Sequence, residues 1–421
     1  MTRFTTKLRL TLAVLLVQLA TSPLPAQTAK ADHWVATWGT AQLLVRPQPA
    51  AAPPAAAKQP QPGAQGFNNQ TVRMVVRASI GGQRLRVKLA SAFGSGQVAV
   101  GAAHIALRSA DSATVPGSDR ALTFGGKPGC RLGPGVVLLS DPVDLKVAPL
   151  GYLAVSLFFP GETGPPTFHS TGLHTTYISK EGDFTGQPSI ADAATTQSYY
   201  WLAGVDVMAP AAASLVVTFG DSITDGTAST PNADRNWPSQ LAVRLAKNKK
   251  TAMIGVANMG IGGNRVLYDG TGASALARFD RDVLSQAGVK WVMLLEAIND
   301  IGRVGTDTPE APTAEELIAA YRQIIERAHT HGIKVIGCTL TPYGGAGYSR
   351  EPGEVVRQAV NQFIRNGGAF DAFVDFEAAT RDPANPTRFR AAFDPGDHLH
   401  PNDAGYQAMA DAVDLSVFSR K

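Results

Sequence analysis

Hydrophobic positions follow two different rules along this chain, and the change of rule near residue 210 divides it. Before that point the apolar residues come in short runs of strand character. In Arg84-Leu85-Arg86-Val87-Lys88-Leu89 every second side chain is apolar, the period of a strand with one buried face. Val72–Val76 precedes it across the turn residues Gly81-Gly82, and Val98–Ala103, Val136–Leu139, Leu153–Phe158 and Leu202–Met208 are further strands between Gly, Pro and Asp turns. Trp34–Gly39 adds a short strand with aromatic anchors, whereas His169–Asp183 is polar and reads as turns. Many short strands without a long helical pattern predict an all-β sandwich or jelly-roll over residues 32–210. Within it, residues 46–66 carry prolines at 47, 49, 53, 54, 60 and 62 and predict an exposed, partly extended loop. Tyr199-Tyr200-Trp201 could form a sugar-stacking platform, but such a cluster at a strand end is predicted to be core.

From Leu215 the pattern alternates between strand and helix. Strands are predicted at Leu215–Phe219, Met253–Ala257, Val289–Leu295, Ile333–Cys338 and Phe373–Phe376. Helical patterns fall at Trp237–Leu245, Ser274–Ser285, Ala314–His329, Glu354–Arg365 and Asp403–Leu415. The third helix is the clearest, with Leu317, Tyr321, Ile324 and Ile325 on one face and Gly332 just past its end. Five such units predict an α/β domain over 211–421: a parallel sheet between two helical layers, in flavodoxin-like order.

Composition changes this picture at the N-terminus. Arg3, Lys7 and Arg9 precede the apolar run Leu10–Leu19, and small residues and prolines follow in Thr21–Ala26. That order predicts a secretory signal peptide over 1–26, and hence a secreted or periplasmic protein. The apolar run is shorter than the roughly 20 residues that span a bilayer, so stable membrane insertion is not expected. Cleavage after Ala26 removes three cations and no acid, which lowers the formal net charge from +4 to +1. With no Lys/Arg run in the remainder, nucleic acid is not an expected partner. The 44% hydrophobic and 17% charged content suits a packed fold. Cys130 and Cys338 are expected to be free or buried thiols, because a disulfide would have to join the two halves.

Candidate chemistry gathers past the ends of the parallel strands. Val216-Val217-Thr218-Phe219-Gly220 stops just before Asp221-Ser222-Ile223-Thr224-Asp225-Gly226, placing Ser222 at the sheet edge where α/β proteins collect ligands. This is not the G-x-S-x-G elbow, because Ile-Thr follows the serine. Near the C-terminus, Asp394-Pro395-Gly396-Asp397-His398-Leu399-His400-Pro401-Asn402 puts Asp397 three residues before His400. In a loop or first helical turn that spacing lets the carboxylate accept a hydrogen bond from the imidazole Nδ1–H. Asp394 is a rival orienter, and His398 with His400 a rival metal pair without a recognisable third ligand. Asn258-Met259-Gly260-Ile261-Gly262-Gly263-Asn264 fails the dinucleotide pattern at Arg265, while Glu296-Ala297-Ile298-Asn299-Asp300 offers an amide donor that cannot ionise.

In their order along the chain, these four blocks resemble those of the SGNH, or GDSL, hydrolases over about residues 215–418. Ala297 departs from that family's Gly-x-Asn-Asp pattern, while Asn299 and Asp300 match it. The β-rich half resembles, more loosely, the sandwich that precedes this domain in some secreted bacterial esterases of the family. The resemblance implies a serine esterase with Ser222, Asp397 and His400 as its triad. Its oxyanion hole would be the Ser222 and Gly263 N–H groups and the Asn299 side chain, with Asp221 and Asp300 as supporting residues. It implies no metal and no organic cofactor. The expected substrate is an ester, with short acyl groups on a polysaccharide as the first reading. Broad activity on aliphatic or aryl esters is the alternative. A carbohydrate-binding protein with a degenerate hydrolase domain, and a metal hydrolase using Asp394, Asp397, His398 and His400, are readings of other classes.

Overall fold

A computed structural model of the chain describes residue 2 and residues 33–43 and 61–419. The expected signal peptide, and most of the proline-rich loop, lie outside the described residues. Residues from His33 onward pack as one compact unit. Both cysteines are free thiols, and burial pushes the Cys130 thiol up to about 11.

Residues 33–210 form two small two-stranded sheets, Phe168–His169 with Tyr199–Tyr200 and Val98–Val100 with Cys130–Leu132, and two large antiparallel ones. One runs in the order Ala194–Thr196, Thr176–Glu181, Gln70–Arg77, Tyr152–Phe159, Ala102–Leu107, Arg120–Ala121. The other runs Trp34–Gly39, Leu202–Met208, Gly82–Ala90, Val137–Leu139, with Val143–Val147 also pairing to Gly82–Ala90. Alternation decides which face is inside: Leu85, Val87 and Leu89 are buried while Arg84, Arg86 and Lys88 stay partly exposed. Two expectations need correction. The region expected to be turns contains the strand Thr176–Glu181, whose inward positions Thr176, Ile178 and Ser179 are mostly polar and so leave no hydrophobic signature. The predicted strand Val98–Ala103 is two strands, because Gly101 passes the chain from a pairing with Cys130–Leu132 to one with Tyr152–Phe159. Tyr199, Tyr200 and Trp201 are buried, as core aromatics.

The second half is built on five parallel strands: β1 (Ser214–Gly220), β2 (Ile254–Gly260), β3 (Val289–Leu295), β4 (Lys334–Cys338) and β5 (Ala372–Val374). Their spatial order is β2-β1-β3-β4-β5, the flavodoxin-like order. The helices are α1 (Ser222–Asp225), α2 (Trp237–Lys247), α3 (Ala275–Phe279), α4 (Ile298–Ile301), α5 (Ala314–Thr330), α6 (Glu351–Asn366), α7 (Phe376–Thr380) and α8 (Asp403–Asp411). α2 packs with α8 on one face, and α3, α5 and α6 form the other layer. α5 starts with a full capping box, Thr313 and Glu316 each satisfying the other's backbone N–H. The predicted helix Ser274–Ser285 is instead α3 followed by one π-turn, Asp280–Leu284.

β2 is an edge strand of this sheet, and the β-rich half covers it. The Val256 N–H donates to Ser79 Oγ at 2.9 Å, and the Ala36 N–H to the Ala287 carbonyl at 3.0 Å. Covering the edge removes a row of unpaired backbone groups that would otherwise invite another strand. Register places the ends of β2, β1 and β3 level: Gly220 lies beside Gly260 and beside Leu295. Whatever follows these residues therefore meets at the switch point between β1 and β3.

Candidate active site

Ser222 is the first residue of α1, so its N–H has no acceptor within the helix. Asp221 caps this short helix, its Oδ1 accepting from the Ile223 N–H at 2.9 Å. The preceding Gly220 has no alternative: a Cβ there would lie 2.1 Å from the Leu295 carbonyl oxygen and 2.3 Å from Thr224 Oγ1. Glycine lets β1 pass close to β3 and release the chain into the turn. Burial pushes the Asp221 carboxyl up to about 7.

The loop before α8 brings a histidine to this serine. His400 Nε2 lies 2.8 Å from Ser222 Oγ, and His400 Nδ1 lies 2.6 Å from Asp397 Oδ2. Asp397 Oδ1 accepts the N–H groups of Leu399 and His400, both at 3.0 Å. Burial acts to raise the Asp397 pKa, but the hydrogen bonds from His400 and Leu399 outweigh it and hold the carboxyl below its usual range. An ionised Asp397 accepts the hydrogen bond from Nδ1–H, which keeps the proton on Nδ1 and leaves the Nε2 lone pair to accept from the Ser222 hydroxyl. Asp394 does not compete for His400. Its Oδ2 lies 2.5 Å from His398 Nδ1, in a separate pair. Among the described residues no three His, Cys, Asp or Glu side chains converge as a metal ion would require.

The two other strand ends supply donors. Gly263, beyond β2, has φ +74, a left-handed conformation that favours glycine, and its N–H meets no acceptor among the described residues. Asn299, in α4 beyond β3, donates from Nδ2 to the Asn264 carbonyl at 2.9 Å. That carbonyl can only accept, which fixes which end of the amide is which, and the Tyr348 hydroxyl donates to the other end, Asn299 Oδ1, at 3.3 Å. One Nδ2 proton remains for a ligand. Ala297, where the family pattern has glycine, is fully buried and held at φ +113. The backbone here has kept a conformation suited to glycine, at a cost of order 1–3 kcal/mol for an alanine. Asp300 is buried and accepts the N–H groups of Val266 at 2.7 Å and Leu267 at 3.2 Å, tying the loop after β2 to α4. Burial pushes its carboxyl up to about 6.

Sequence reasoning missed three residues here. Arg278 lies beneath the strand ends and bonds the Gly220 and Met259 carbonyls. Tyr348 sits in a loop with no periodic signal. His169 comes from the β-rich half, its Nε2 lying 3.0 Å from Asp225 Oδ1, while Asp225 Oδ2 accepts the Gly262 N–H at 3.1 Å. The other His169 nitrogen lies 2.7 Å from the Ala41 carbonyl, which can only accept. Burial alone would lower the His169 pKa, but the Asp225 carboxylate and these hydrogen bonds raise it. The first half of the chain thus reaches the loop that carries Gly263.

Beside Gly263 and Asn299 opens a cleft of about 550 Å³, also lined by Arg265, Thr271, Arg303, Tyr348 and Arg350. No helix among the described residues is long and apolar enough to cross a membrane.

Residues 218–408 match the model of the GDSL-like Lipase/Acylhydrolase family. Among solved structures the chain is similar to a protein from Desulfitobacterium hafniense, described as lipolytic and of the G-D-S-L family. The two share 21% identity over 47% of this chain and 97% of that one, with a TM-score of 0.37. It is also similar to a catalytic mutant of an acetylxylan esterase from Geobacillus stearothermophilus, with 25% identity over 48% of this chain and 93% of that one and a TM-score of 0.38. No curated protein matches the chain. Residues 218–408 are a GDSL-like lipase/acylhydrolase domain, and the protein is a carboxylic ester hydrolase.

Proposed function

We propose that this protein is an exported serine esterase that removes short acyl groups, acetyl above all, from carbohydrate. One observation carries the mechanism: Asp397, His400 and Ser222 form an unbroken line of hydrogen bonds of 2.6 and 2.8 Å. Ser222 Oγ attacks the ester carbonyl carbon as His400 Nε2 takes its proton. The resulting imidazolium is stabilised by Asp397. Charge developing on the carbonyl oxygen is met by the Ser222 N–H, the Gly263 N–H and the Asn299 amide. Collapse of this intermediate breaks the bond to the alcohol, which leaves with the proton from His400. Water, deprotonated by His400, then attacks the acyl-enzyme; the bond to Ser222 Oγ breaks as His400 returns the proton to it, and the acid is freed.

On this reading Asn299→Ala lowers kcat by about 10²-fold with little change in KM, because the amide acts mainly on the charged intermediate. A steady-state comparison on 4-nitrophenyl acetate checks it. An unchanged kcat would remove Asn299 from the oxyanion site.

The carbohydrate reading rests on the cleft, whose lining of arginines, threonines, asparagine and tyrosine suits a hydroxylated substrate better than an alkyl chain. Export rests on Arg3, Lys7 and Arg9 ahead of the apolar run Leu10–Leu19 and the Ala26 site. The mature chain would then consist of the β-rich half, 32–210, and the catalytic half, 211–421. The test is a profile of acetate, butyrate and octanoate esters, followed by acetate release from acetylated xylan and pectin. Acetate esters are expected to be the best small substrates, with release from at least one polymer. Preference for octanoate would replace the carbohydrate reading with that of a general esterase or lipase.

A further inference from the structure

We infer that the cleft beside Gly263 and Asn299 is an anion subsite, and that the preferred esters carry a carboxylate next to the scissile bond. The inference rests on the serine esterase reading, since it takes the oxyanion donors as the point from which the substrate extends. Gly263 and Asn299 belong both to that donor set and to the cleft wall. A carbonyl oxygen held by them therefore directs one of the two substituents of its carbon into the cleft.

Three arginines line that space, Arg265, Arg303 and Arg350, and no carboxylate does. They differ in how their charge is met. The guanidinium of Arg265 is paired with Glu310 at 2.5 Å, bonded to the Asp269 carbonyl, and packed 5.5 Å from the Tyr268 ring centroid. It is a fixed and largely neutralised wall. Arg350, just before α6, donates through Nη1 alone, to the Gly302 carbonyl at 3.2 Å and the Tyr348 carbonyl at 3.1 Å. Those carbonyls orient the side chain without cancelling its charge, and its Nε–Nη2 edge bonds to nothing among the described residues. The Arg303 side chain, just beyond α4 and lining the cleft, makes no hydrogen bond or ion pair among the described residues. Surface arginines commonly find a carboxylate, so two uncompensated guanidinium groups facing one cleft make a locus of positive potential. Their forked donors match the two oxygens of a carboxylate, and the fixed edge of Arg350 reduces the entropy lost on binding. Tyr348 lines the same cleft, its carbonyl accepting from Arg350 and its hydroxyl donating to Asn299, which joins the subsite to the reacting centre.

A carboxylate can reach the cleft from either side of the ester, on the acyl group or on the alcohol. Two pairs of similar shape, one member anionic and the other neutral, separate these sources. Monomethyl succinate against methyl butyrate places the charge on the acyl side, and 4-acetoxybenzoate against its methyl ester places it on the alcohol. Each ratio of kcat/KM is divided by the ratio of the hydroxide-catalysed rates, so that only recognition remains. In one of the two pairs the anion is expected to be preferred about tenfold at low ionic strength. The preference should shrink severalfold in 0.5 M NaCl, as screening of exposed charges requires. It should also fall toward unity in Arg303→Gln/Arg350→Gln, and by a smaller factor in Arg303→Gln alone, which breaks no bond within the protein. Corrected ratios at or below one for both pairs in the wild-type enzyme would overturn the inference, as would a preference that survives in the double variant. Either result leaves the esterase itself standing, because that reading fails separately, through the fate of Ser222.

Discussion

Ser222→Ala is expected to abolish ester hydrolysis, lowering kcat on 4-nitrophenyl acetate on the order of 10⁶-fold, as loss of a serine nucleophile does elsewhere. The expectation follows from what the hydroxyl touches. Its one side-chain partner is His400 Nε2, at 2.8 Å, and the residue is 6% exposed at the mouth of the site. Removing one oxygen leaves the His400–Asp397 pair intact and opens a space that water can enter, so the melting temperature should change little. The Ser222 N–H survives the substitution, and with it the Gly263 and Asn299 donors. The variant should therefore still bind substrate, with residual turnover limited to what the oxyanion groups give a water molecule. A fluorophosphonate probe should label wild-type Ser222 and fail on the variant. Substantial turnover by a folded Ser222→Ala protein would reject the serine mechanism. It would then return attention to Asp394, Asp397, His398 and His400 as a set, although the first and third of these are bound to each other at 2.5 Å.

The parts of this site that announce themselves in sequence are those fixed by local geometry. Ser222, Gly263 and Asn299 each follow a β-branched or apolar strand by two to four residues, and strand ends in a parallel sheet converge at the switch point. Asp397 and His400 are close in sequence, so their pairing needs no knowledge of the fold. What was illegible depends on contacts between distant segments. His169 lies in a region whose buried side chains are polar, and nothing local says that it meets Asp225. Tyr348 is an ordinary loop tyrosine until the chain brings it to Asn299. Ala297 shows the converse, a sequence departure that left the backbone unmoved because burial and the following helix α4 hold the turn. Arg278 was within reach: Ala275, Phe279 and Asp282 share its helical face and all are buried, which places a charged side chain where core is expected.

That arginine gives the second large effect. Arg278 is 1% exposed, and its guanidinium lies 4.0 Å from the Phe219 ring centroid. Its donors are all engaged. Nε bonds Asn264 Oδ1 at 2.8 Å, Nη1 the Met259 carbonyl at 2.7 Å and Asp282 at 3.1 Å, and Nη2 the Gly220 carbonyl at 2.8 Å and Glu296 at 3.4 Å. Three of these acceptors, the Gly220 and Met259 carbonyls and Glu296, sit at the ends of β1, β2 and β3, immediately before the segments that carry Ser222, Gly263 and Asn299. One buried cation therefore sets the spacing of three groups whose mutual geometry decides catalysis. Burial and repulsion from Asp221 already drive the Glu296 carboxyl well above its usual range despite Arg278. Arg278→Met removes the cation, leaves Glu296 without its counter-charge, and takes a donor from Asp282, which keeps Arg281, and from three neutral acceptors; it is expected to cost about 3–5 kcal/mol. At about 2 °C per kcal/mol for a large domain, the melting temperature should fall roughly 6–10 °C. Arg278→Lys separates positioning from stability. Lysine restores the charge but offers three donors in place of five, so it cannot hold all three strand ends at once. The lysine variant should recover much of the lost stability yet keep a kcat reduced about 10²-fold, because a small misplacement of reacting groups carries that penalty. The two variants are compared by thermal unfolding and by kcat on 4-nitrophenyl acetate. Wild-type kcat in Arg278→Lys would mean that the arginine holds the fold together without tuning the site, and an unshifted melting temperature in Arg278→Met would deny it even that.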